Sequence, residues 1–82
     1  MKKEFIKLYQ SLGIRIAYFR KMNDLTQQEL GELVDIEAQH VSKLERAEVG
    51  MSMDMLFKLA RALNTTASKL LDFTEHDDIQ SK

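Results

Sequence analysis

Eighty-two residues without one proline, and with only three glycines (Gly13, Gly31 and Gly50), point this chain toward helices. Proline breaks a helix by removing an amide donor, and glycine loosens one through backbone entropy. Leu, Lys, Glu, Ala and Met are abundant instead, so the expected class is all-α. The length allows one domain, which we place at residues 1–73, followed by an acidic and fraying tail over residues 74–82. Cysteine is absent, which excludes disulfides, thiolate metal sites and a cysteine nucleophile and makes the cytoplasm the simplest location. Apolar runs are a few residues long, so no membrane span or secretory signal is expected. A core this thin favours self-association.

The net charge of −1 conceals segregation. Residues 1–21 hold six basic residues against Glu4 (+5), whereas residues 22–48 hold two against seven acids (−5). Such a balance does not announce nucleic acid by itself, so any nucleic-acid reading must rest on pattern.

Five helical stretches can be read. In the first, from Lys3 to Lys21, a wheel with Arg15 at zero gathers Phe5, Leu8, Tyr9, Leu12, Ile16 and Phe19 into one apolar arc. Arg20 lies at the edge of that arc, and Ile14 and Tyr18 form a separate outward pair. Asn23-Asp24 reads as a turn. Thr26-Gln27-Gln28-Glu29 is a capping box that opens a second helix, with Leu30 and Leu33 expected to face inward. A third helix is expected to run to about Ala47. Ser52 caps a fourth helix, in which Met55, Leu56, Leu59, Ala60 and Leu63 share a face. Asn64-Thr65-Thr66 ends it and starts a short fifth helix with Leu70 and Leu71. Met51, Met53 and Met55 read as core filler and helix start.

The second and third helices are short and separated by about three residues, the arrangement in which the later helix can enter the DNA major groove. On the third, Gln39, Ser42, Lys43 and Arg46 fall on one side and Val41 and Leu44 on the other. Glutamine can pair with adenine and lysine with guanine, while Ala38 lets the backbone approach or touches a thymine methyl. The same residues would also suit a merely solvated face.

Three segments settle the pattern: LGIRIAYFRK, LTQQELGELVDIEAQHVSKLER and SMDMLFKLARALNTTASKLL. With them, Leu12 through Phe73 resembles the phage repressor/Cro (Xre-type) helix-turn-helix family. The resemblance implies a five-helix repressor-like domain with an extended first helix. It implies that Gln27 holds a phosphate and braces the first base-reading residue. It implies base reading by Ala38, Gln39 and Lys43, with Ser42 beside them, a DNA-backbone contact by Arg46, and an inter-helix ion pair between Arg20 and Glu45. The wheels agree on that pair, since both residues sit at apolar edges and a partly buried carboxylate needs a partner. The sequence departs from the family at Asp35, where the turn usually has glycine, and at Glu37, a poorer cap than serine or threonine. It departs again at Ala47, where glycine usually follows Glu-Arg, and at Gly50-Met51, where a proline is usual.

His40 is open between a phosphate contact and a flank residue. His76 with Asp77 and Asp78 reads as a solvated charge run rather than a metal site. No cofactor, small-molecule ligand, metal site or catalytic constellation is legible. The expected function is sequence-specific regulation of transcription, as a repressor binding palindromic double-stranded DNA as a homodimer through Leu70, Leu71 and Phe73. The alternative, favoured by the acidic stretch 22–48 and Glu37, is a helix-turn-helix protein-contact module, an antitoxin or a regulator's partner.

Overall fold

A computed structural model of the chain describes residues 2–76. A short 3-10 turn at Lys3–Phe5 leads into α1 (Ile6–Met22), followed by α2 (Gln27–Val34), α3 (Ala38–Glu45), α4 (Met53–Ala62) and α5 (Ala67–Leu70). A 3-10 turn, Phe73–His76, carries the chain past Leu71. The rest of the acidic tail, with Asp77 and Asp78, lies outside the described residues. Five helices and no strand, among the described residues, make the all-α architecture expected from the sequence. None of these helices is long and apolar enough to cross a membrane.

The helix starts follow the sequence closely. Thr26 accepts from the Glu29 amide, and Glu29 accepts from the Thr26 amide, so the capping box is complete. Ser52 and Thr66 cap α4 and α5 by accepting from Met55 and Lys69 amides. Each such cap replaces an orphan amide's lost partner and contributes about 1 kcal/mol.

The helix ends share one device. Asp24, Asp35, Ala47 and Asn64 all take the left-handed conformation, with φ between 56° and 63°. After each, an amide reaches back five residues: Leu25 to Arg20, Ile36 to Gly31, Glu48 to Lys43 and Thr65 to Ala60. This is the six-to-one bond of a Schellman turn. Asp and Asn tolerate that conformation better than most residues. Ala47 does not, yet it is turned there and buried, and α3 therefore ends at Glu45 rather than at Ala47.

Leu12, Ile16, Leu30, Val34, Val41, Leu44, Leu56, Leu59, Leu63 and Leu70 fill the core. Two glycines in helices allow the close approaches around it. A Cβ on Gly13 would stand 2.3 Å from the Glu45 carbonyl oxygen, and one on Gly31 would stand 2.4 Å from that of Ile36. Any side chain at Gly13 would push α1 off the end of α3.

Several apolar residues lie outside the positions expected of them. Leu33 is 60% exposed because Leu30, Gly31 and Val34 define the buried arc of α2, and Leu33 falls about 100° from its centre. Phe5 and Leu8, members of the apolar arc read from the first helix, and Met53 at the start of α4 are exposed. Leu70 has no exposed surface: it belongs to the chain's own core and can offer nothing to a second chain. Arg15, at the centre of the apolar arc, is buried. It packs over the Phe19 ring, with 5.1 Å from guanidinium carbon to ring centroid, and donates to the Lys69 carbonyl.

Candidate nucleic-acid interface

The three residues Asp35–Glu37 turn the chain from α2 into α3, and these two helices pack on each other more extensively than any other pair. Val41 and Leu44 anchor α3 in the core at 0% and 2% exposure. On its other side Gln39 is exposed and Ala38, Ser42 and Lys43 are half-exposed. The residues picked from the sequence for base reading thus share one accessible edge. Glu37, Gln39, His40 and Lys43 line a shallow depression on that edge together with Val49 from the loop after α3. Sequence periodicity could not bring in Val49, because no helical phase extends into a loop. Glu37 makes no side-chain cap, but its charge lies at the positive end of the α3 dipole.

The orientation of α3 is fixed from behind by a clamp. Arg20 on α1 donates Nε to Glu45 Oε2 at 2.7 Å and Nη2 to Glu45 Oε1 at 3.2 Å, with side chains only 12% and 7% exposed. Arg20 Nη1 also donates to the Leu25 carbonyl at 2.9 Å. The pair read from the sequence is present, and its fork geometry is the strong form of a carboxylate contact.

Gln27, the first residue of α2, donates Nε2 to Glu45 Oε1 at 3.0 Å, so α1, α2 and α3 converge on one carboxylate. Arg46 at the end of α3 is exposed and paired with Glu48, Nε to Oε2 at 3.0 Å.

Two helices at this spacing, the first capped and the second presenting a polar edge, define a helix-turn-helix protein. Residues 16–70 match the helix-turn-helix family model HTH_3, and the chain belongs to that family of DNA-binding transcriptional regulators. It is 31% identical over 67 residues to Control protein C.SmaI of Serratia marcescens, covering 82% of this chain and 80% of that one. Among solved structures it resembles the restriction-modification controller protein C.AhdI of Aeromonas hydrophila. There the TM-score is 0.75, with 26% identity over 84% of this chain and 99% of that chain. It also resembles the clp gene regulator ClgR of Corynebacterium glutamicum. That likeness has a TM-score of 0.83 and 25% identity over 90% and 80% of the two chains.

Proposed function

We propose that this regulator is a homodimer whose two α3 helices enter successive major grooves of a palindromic site and repress by excluding polymerase. The likeness to C.SmaI and C.AhdI supports a controller role of the restriction-modification kind. The observation that carries the DNA reading is the exposed edge of α3 with Gln39, Ser42 and Lys43, held at a fixed angle by the Arg20–Glu45 clamp. Gln39 and Lys43 are the base readers, and Ala38 and Ser42 allow close approach. Gln27 and Arg46 take phosphates. Arg46 must leave Glu48 to do so, which costs little because an exposed pair contributes about 0–1 kcal/mol. Selection of bound sequences from random duplex DNA tests this reading. Enrichment of a two-fold motif with half-sites one helical turn apart is expected, and no enrichment moves the protein-contact alternative ahead.

For the dimer, Leu71 and Phe73 are the members of the expected patch that have surface. They line an apolar groove with Phe5, Leu8 and Met53. Ile14 and Tyr18, 41% and 45% exposed on α1, are the competing patch. In sedimentation, Leu71→Glu should give monomers and Tyr18→Glu should not; the reverse result assigns the interface to α1.

A further inference from the structure

Glu45 faces away from the edge that α3 presents, and its carboxylate is nearly buried, so it has no route to a nucleic acid itself. It nevertheless governs a group that does have one. Both Glu45 oxygens are acceptors, so only the NH2 end of the Gln27 carboxamide can face them. The contact at 3.0 Å therefore dictates which way the amide is turned. Arg20 holds the same carboxylate with two further donors and cannot be swung aside without breaking the clamp. A primary amide has two N–H groups. One is spent on Glu45, and the other has no protein acceptor among the described residues. Gln27 is the first residue of α2, half-exposed, at the positive end of that helix.

We propose that Glu45 is a positioning residue for phosphate binding: the Arg20–Glu45 clamp locks the Gln27 amide so that its second N–H is presented to a DNA phosphate. The inference rests on the DNA-binding reading above. An unlocked glutamine would have to give up rotamer freedom and choose an amide orientation on binding, and a preset one has already done so. The same pair that fixes the angle of α3 thereby also sets the phosphate contact at the start of α2. Base reading and backbone grip share one anchor.

A double-mutant cycle on binding to a random-sequence duplex at low salt tests it, with Glu45→Gln, Gln27→Ala and the double variant assayed where all are folded. Glu45→Gln should weaken binding about five- to tenfold in the parent. In the Gln27→Ala background it should weaken binding by less than about twofold. Equal losses in both backgrounds would mean that Glu45 acts through the fold alone, and the proposal falls. Absence of binding by the parent itself overturns the DNA reading and the proposal together, so the two failures are distinct. Should Glu45→Gln fail to fold, NMR of the parent's Gln27 side-chain amide decides. On adding the duplex, one of its two proton resonances should move and the other hold its position. Two unmoved protons contradict the proposal.

Discussion

Two arginines five residues apart on α1 tie that helix to two different elements, by different means. Arg15 reaches α5: it is 1% exposed, stacked over Phe19 and donating to the Lys69 backbone carbonyl. Arg20 reaches α3: it forks onto the Glu45 carboxylate, which is itself nearly buried and shared with Gln27. At the α5 corner one acceptor is a backbone carbonyl that keeps the Asp72 amide when the arginine is lost. At the α3 corner the acceptor is a charge that would be left behind. Stability therefore concentrates where the orientation of α3 is set.

Matched substitutions sharpen this contrast. Arg20→Met keeps the apolar stem but strands Glu45 without its countercharge, and should lower unfolding free energy by about 3–5 kcal/mol in urea titration. A loss below about 1 kcal/mol would mean the carboxylate finds water and the clamp is decorative. Arg15→Met keeps the packing on Phe19 and leaves the Lys69 carbonyl with the Asp72 amide that already donates to it. A loss of about 1 kcal/mol is expected, and a loss as large as that of Arg20→Met would erase the distinction.

The smallest effect concerns acid. The Asp72 carboxyl is held below its ordinary value of 3.8, first by the Thr74 hydroxyl and amide that donate to it and further by the nearby Arg15 charge. A group whose pKa is lowered on folding adds stability above its unfolded value and loses it as pH falls through the folded one. The thermal midpoint of the parent should therefore exceed that of Asp72→Asn by a small constant margin at neutral pH. The margin should shrink below about pH 4. A margin that grows on acidification contradicts the assignment.

The two arginines also show what was legible in the sequence. Arg20 could be given its partner Glu45 because the family resemblance implies that ion pair and the wheels set both residues at apolar edges. Arg15 could not, because its visible anchors are a ring beside it and a backbone carbonyl 54 residues away, and a helical wheel records neither. The caps at Thr26 and Ser52 were readable because each acts on an amide three residues along. Leu33 was misread because an eight-residue helix has too few positions to fix the centre of its buried arc. Leu70 was placed on a surface because a short terminal helix can direct a leucine either way, and only packing decides. At the interface, the edge of α3 followed from periodicity and resemblance. The turn of Gln27 toward Glu45 did not, because it depends on how α1, α2 and α3 meet in space.

The central claim is that α3, fixed by the clamp, reads base edges through its exposed side. Titration of Gln39→Ala against single-base variants of the selected site tests it most directly. Preference at one base-pair position per half-site should relax by about 1–3 kcal/mol, with the remaining positions unchanged. A preference profile identical to the parent's at every position would contradict it, and α3 would not be the reader.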